Sequence, residues 1–141
     1  MEQRVTIVTL GVADLKKSTA FLEALGWRRS ATAAEGIAFF QCGSIAISLY
    51  PIGELAKDAG VPAERSGFAG IVISHNGRSK DDVDRILAEA ARAGATIVKP
   101  AADTFWGGYS GCFHDLDGHI WEIAWNPHFE LDEAGAVAMP D

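Results

Sequence analysis

The chain is poor in several things that large classes of protein require. It has two cysteines, Cys42 and Cys112, in separate stretches with no close pair and no knuckle spacing. That argues against a disulfide scaffold and a cysteine-based metal site, and both thiols read as reduced and partly buried in a cytosolic protein. Positive charge is also scarce: 12 Lys and Arg stand against 19 Asp and Glu, the net charge is -7, and the basic residues are scattered. Nucleic acid is not an expected partner, because phosphate recognition needs clustered Lys and Arg. No apolar run approaches the roughly 18 residues of a membrane span, and no charged-then-apolar signal stands at the N-terminus. The expectation is a soluble, cytoplasmic protein with no membrane partner. Histidine is sparse too, and no two of the four have the i, i+4 spacing of a helical metal pair.

What is present suits a single domain. The 141 residues are 48% apolar, enough for a real core. Residues 4 to 12 alternate, with Val8, Leu10 and Val12 on one face and Ile7, Thr9 and Gly11 on the other, the period of a strand. Asp14 is placed to cap a helix with a stripe of Leu15, Ser18, Leu22 and Leu25 beside Phe21, and Gly26 to end it. Three strands are predicted next, over Trp27 to Ala31, Ile37 to Cys42 and Ile45 to Tyr50. Residues 52–66 read as a connector holding at most a short helix around Glu54 to Ala59.

The order then repeats. A strand is predicted over Phe68 to Ser74, and a helix capped by Ser79 with a stripe of Val83, Ile86, Leu87, Ala90 and Ala91, closed by Gly94. A strand over Thr96 to Lys99, a loop over Pro100 to Gly108, and two paired strands ending at Trp125 complete it. The fold class is therefore α+β: two tandem βαβββ modules, about 1–51 and 67–127, forming a cup-shaped mixed sheet with the helices outside. Residues 128–141, with Gly135, Ala138 and Pro140, read as a tail.

The last hairpin carries the main chemical signal. Glu122 is a lone carboxylate among Ile120, Trp121, Ile123, Ala124 and Trp125, and a buried carboxylate must find partners or shift its pKa. A turn at Asp115 to Gly118 with Gly118 left-handed sets Asp115 opposite His119, Cys112 opposite Glu122 and Ser110 opposite Ala124. Cys112 and Glu122 then share the cup face, with His114 near its rim, while Trp121 and Trp125 point to the second helix. A thiol beside an acid is a poor nucleophile, so Cys112 reads as filler or a ligand contact. Trp106, Gly107, Gly108 and Tyr109 form either a mobile aromatic lid or a tight loop packed on the rim. Asp115 and Asp117 fit hairpin turn chemistry better than a calcium loop, and His75, His119 and His128 read as solvated.

Val12, Asp14, Leu15, Ser18, Phe21, Leu25 and Gly26 resemble the first strand and helix of the vicinal oxygen chelate superfamily. Its members include glyoxalase I, bleomycin-resistance proteins and extradiol dioxygenases. Phe113 to Glu122 resembles its closing hairpin, and together the motifs span about residues 4 to 127. The resemblance implies paired modules forming a cup, commonly in a homodimer, and in catalytic members a divalent metal. The family's metal positions fall on Ile7, on Gly70, on the strand offering Ser48 and Tyr50, and on Glu122. One carboxylate does not make a transition-metal site, so the chain reads as a member without the metal, and no cofactor is expected. The expected function is metal-free binding of a small, partly apolar molecule, with Ser48, Trp106, Tyr109, Cys112, His114 and Glu122 as contacts. The alternatives are a lyase, isomerase or dioxygenase-like enzyme, metal-independent with Glu122 as catalytic base or metal-dependent if the register differs, and a structural partner in a larger complex.

Overall fold

The structure is a computed structural model that describes residues 1, 6–30, 35–64, 67–69 and 71–137. Gly70, Ala31, Ala138 and Pro140 lie outside the described residues. The chain divides into two compact units, Met1–Ala69 and Gly70–Asp141. Among the described residues the first is a mixed sheet with two helices and the second a mixed sheet with one.

The first unit holds β1 (Ile7–Val12), α1 (Leu15–Ala24), β2 (Ala38–Cys42), β3 (Ile45–Pro51) and α2 (Ile52–Ala59). Its sheet has the order β1-β3-β2, with β1 parallel and β2 antiparallel to β3. The alternation in β1 places Leu10 and Val12 with Ala38, Phe40, Ile47 and Leu49 on one buried face. Such burial contributes roughly 1.5–3 kcal/mol per large side chain. The opposite face carries Thr9, Ser48 and Phe39 in one row. As the cap chemistry predicts, Asp14 accepts a hydrogen bond from Lys17 N at 3.0 Å and Gly26 takes φ 85 just past the helix.

Two expectations change here. The strand expected over Trp27 to Ala31 is reduced to a single bridge between Arg29 and Phe40, beside a Ser30 N to Phe39 O hydrogen bond of 2.7 Å. Arg28, Arg29 and Ser30 are exposed and offer no apolar alternation, so Trp27, edge-on to Phe40 at 6.0 Å, is the anchor. The short helix allowed in the connector around Glu54 to Ala59 is present but starts earlier, at Ile52: α2 packs on β1 and β3 and ends at left-handed Gly60.

The second unit holds β4 (Ile73–Asn76), α3 (Lys80–Arg92), β5 (Thr96–Asp103), β6 (Tyr109–His114) and β7 (Ile120–Trp125). The sheet order is β4-β7-β6-β5, with β4 parallel to β7 and the other pairs antiparallel. Ser79 caps α3 by accepting from Asp82 N at 3.1 Å, and Val83, Leu87 and Ala90 form its buried stripe. A Cβ at Gly111 would stand 2.9 Å from the backbone atoms Lys99 O and Ala101 N as well as 2.7 Å from Leu87 Cδ1, so the backbone of β5 beside it requires glycine. β4 starts later than expected, at Ile73, leaving Phe68 and Ile71 exposed. β5 runs longer, through Pro100, because it is an edge strand whose register shifts twice between Ile97 and Ala102, and an edge tolerates the missing N–H.

The expected tail holds regular contacts over residues 131–137. Leu131 bridges Val137 around a turn in which Asp132 accepts from Gly135 and Ala136, and the Arg78 guanidinium donates to the carbonyls of Leu131, Asp132 and Glu133 at 3.4, 2.6 and 3.1 Å.

Candidate functional site

The hairpin register expected from the turn is the one found: Cys112 pairs with Glu122, Ser110 with Ala124 and His114 with Ile120. Gly118 is left-handed at φ 81, and Asp115 N donates to His119 O at 3.0 Å. Directly paired residues share a face, so Ser110, Cys112, His114 and Glu122 stand together on the side of the sheet turned away from α3. The opposite side carries Phe113 and Trp121, stacked at 6.2 Å, with Ile123 and Gly111 against the helix.

Asp115 explains why the hairpin holds this register. Its carboxylate accepts from Asp117 N at 3.0 Å, His119 N at 2.9 Å, His119 Nδ1 at 2.8 Å and Trp121 Nε1 at 3.2 Å. Burial pushes its pKa up, but the hydrogen bonds from His119 and Trp121 outweigh that and leave it below the ordinary aspartate value. His119, expected to be solvated, is instead 13% exposed and paired to Asp115 because the turn folds its ring back over the carboxylate. Asp115, Asp117 and His119 are the one group among the described residues whose donor atoms approach closely enough for an ion. Four protein donors already occupy the Asp115 oxygens, which is turn chemistry, and the cluster serves the hairpin.

Glu122 is half-buried and accepts a hydrogen bond from the Ser74 hydroxyl of β4 at 3.0 Å, on Oε2. The parallel register puts Ser74 directly beside Glu122. Beyond Cys112, Lys99 of β5 continues the row. Burial pushes the Cys112 thiol above its ordinary pKa, Glu122 adds to the shift, and Lys99 opposes it. The thiol is therefore neutral and weakly nucleophilic, as the neighbouring acid predicts.

The other expected contacts are Tyr109, Trp106 and Ser48. Tyr109 lies on the α3 side, paired with Trp125, and its hydroxyl donates to Asp84 of α3 at 2.9 Å. Lys80 sits over the Tyr109 and Trp125 rings at 5.4 and 5.9 Å and bonds Asp103 at 2.6 Å. Trp106 is in the β5–β6 turn, where Thr104 N donates to Gly108 O at 2.9 Å and Gly108 N to Thr104 Oγ1 at 3.0 Å. A Cβ on Gly108 would collide with the Trp106 ring. These contacts make a compact turn with the Trp106 ring over Gly108. Ser48 belongs to the first unit, fully buried, donating to Thr9 Oγ1 at 2.7 Å. Ser74 and Lys99 were missed. Ser74 had a signal, since it stands five residues before its helix cap just as Thr9 does; Lys99 is hidden by the shifts in β5.

This arrangement of sheets and helices is that of a known class, and the comparisons with other proteins identify which. The model of the glyoxalase/bleomycin resistance protein/dioxygenase superfamily matches residues 4–123, and the chain belongs to that superfamily. A crystal structure of a glyoxalase-related enzyme from Fulvimarina pelagi superposes with a TM-score of 0.89 at 31% identity, covering 99% of each chain. Hypothetical protein SA1046 from S. aureus gives a TM-score of 0.79 at 24% identity, covering 89% of this chain and 95% of its own. Lactoylglutathione lyase from Agrobacterium tumefaciens gives 0.66 at 21%, covering 89% and 96%, a likeness of fold. No curated protein matches the chain.

Among the described positions that the resemblance gives for a metal, Ile7 and Ser48 offer no usual transition-metal donor. Ile7 is an exposed aliphatic side chain, Ser48 is sealed against Thr9, and Gly70 lies outside the described residues. Glu122 is the remaining carboxylate, and Ser74 already engages it. No helix among the described residues is long and apolar enough to cross a membrane.

Proposed function

We propose that the protein is a cytoplasmic homodimer that binds a small, partly apolar molecule without a metal, on the face of the second sheet around Glu122. The observation that carries this reading is the Ser74, Glu122, Cys112 row: a half-buried carboxylate oriented by a hydroxyl, beside a neutral thiol and flanked by Ser110 and His114. Ser74 holds one oxygen of Glu122, and the other has no hydrogen-bond partner among the described residues. A carboxylate so placed accepts a hydrogen bond from a ligand hydroxyl or ammonium group. The dimer follows from the habit of the superfamily, and the cytoplasmic location from the two free thiols.

A thermal-shift screen of small amines, alcohols and drug-like cations tests the reading. Hits should lose their stabilising effect in Glu122→Gln, and hits indifferent to that change would remove Glu122 from the site. Protein purified without chelator should carry no stoichiometric divalent ion; finding one refutes the metal-free part. Light scattering tests the dimer.

One specific likeness favours a second reading, an enzyme using Glu122 as general base: the structure that is 31% identical to this chain is described as an enzyme. A hit that is chemically consumed by the wild type and left intact by Glu122→Gln decides for the enzyme.

A further inference from the structure

The row of side chains across the second sheet does not stop at the thiol. A register shift in β5 between Ile97 and Lys99 brings Lys99 directly opposite Cys112, which is opposite Glu122, which is opposite Ser74. Paired residues share a face, so ammonium, thiol, carboxylate and hydroxyl stand in that order across four strands. Lys99 and Glu122 are two strands apart, about 10 Å between backbones, with a flexible lysine stem that shortens the gap between the charges. Neither joins the other in an ion pair, nor does either pair with another described charge. The thiol between them feels both: Glu122 pushes its pKa up and Lys99 pulls it down, so each charge lies within electrostatic reach of the sulfur. A lysine on an edge strand also discourages pairing with another sheet, a role that needs no particular neighbour. Opposite charges on either side of a neutral thiol, with Ser74 holding the carboxylate in place, are a more specific arrangement.

We propose that this face takes an amphoteric ligand, with a cationic or hydrogen-donating group on Glu122, an apolar middle over Cys112 and an anionic group on Lys99. The proposal rests on the reading of the Glu122 face as a ligand site. Lys99 is then a specificity residue, selecting molecules that carry both charges over amines that carry one.

The test uses the full chain and three matched probes: 6-aminohexanoate, which carries an amine and a carboxylate, hexylamine, which lacks the carboxylate, and hexanoate, which lacks the amine. Binding is followed by NMR titration. 6-Aminohexanoate should bind the wild type about threefold more tightly than either single-charge probe, the scale of one partly exposed charge contact. Lys99→Met should erase its advantage over hexylamine while leaving hexylamine unchanged, and Lys99→Arg should restore it. Glu122→Gln should erase its advantage over hexanoate. Far-UV circular dichroism and the urea midpoint show that each variant is folded. Equal binding of 6-aminohexanoate and hexylamine, indifferent to Lys99→Met but lost in Glu122→Gln, overturns the amphoteric class and leaves the Glu122 site standing. If no probe shows binding sensitive to Glu122→Gln, both readings fall.

Discussion

The two modules set the same pair of positions side by side and fill them with different chemistry. In each, a hydroxyl on the first strand, five residues before the helix cap, donates to or accepts from the last strand in parallel register. Thr9 meets Ser48 at 2.7 Å in the first, and Ser74 meets Glu122 at 3.0 Å in the second. Ser48 is fully buried, and a charge in its place would face desolvation with no basic partner across the row. Glu122 is half-buried, and its second carboxylate oxygen has no hydrogen-bond partner among the described residues. Duplicated backbone therefore does not duplicate chemistry: the first module closes its pair with a neutral hydrogen bond, and the second places a carboxylate in the equivalent pair.

The comparison assumes equivalent scaffolds, which the largest predicted effect examines. Phe40 and Phe113 are each 1% exposed and occupy the buried face of their own sheets. Phe40→Ala and Phe113→Ala should each destabilise by about 3–5 kcal/mol in urea unfolding. A value below about 1 kcal/mol for either would mean that one sheet is not held by its core, and the equivalence would fail.

The hairpins then separate the modules. The first turns at left-handed Gly43, with Gln41 Nε2 donating to the carbonyls of Gly43 and Ile45. The second is tied by Asp115, whose native pKa lies below its ordinary value. A depressed carboxylate contributes stability above its unfolded pKa, near 3.8, and loses it as pH falls through the lower native value. Asp115→Asn should cost about 1–3 kcal/mol at neutral pH and flatten the loss of stability below about pH 4. Gln41→Ala, on an exposed turn, should change stability by less than about 0.5 kcal/mol and leave the pH profile intact. Chemical denaturation repeated across pH checks both.

Legibility followed the range of the interactions. The Cys112 to Glu122 pairing could be read in advance because turn residues Asp115 to Gly118 lie only a few positions away and fix the register locally. That register also determined Tyr109: opposite Trp125, it had to face α3, and the attraction of an aromatic lid obscured the strand parity. The neighbours of Glu122 on the far side are non-local. Parallel pairing of β4 with β7 joins residues 48 apart, and no turn announces it; counting back from the helix caps would have matched Ser74 to Thr9. Lys99 was unreadable for a different reason, since two bulges around Pro100 break the alternation that strand counting depends on. In the first module, the short polar run Arg28 to Ser30 could be given a strand period but had no apolar face to bury, and among the described residues it forms one bridge, Arg29 to Phe40.

The smallest stability effects discriminate most sharply between the two pairs. Ser48→Ala removes a fully buried hydroxyl and its hydrogen bond to half-buried Thr9, and should cost about 1 kcal/mol with no change in ligand binding. Ser74 is exposed, so Ser74→Ala should shift stability by less than about 0.5 kcal/mol. Its effect should appear in binding instead, because the carboxylate loses the hydroxyl that orients it, and a hit from the amine screen should weaken by about two- to fivefold. Ser74→Thr, which keeps a hydroxyl on a β-branched side chain suited to a strand, should recover most of that loss. The reverse result, with Ser48→Ala impairing binding and Ser74→Ala only stability, would move the open site to the first module and make Glu122 the structural member of the two.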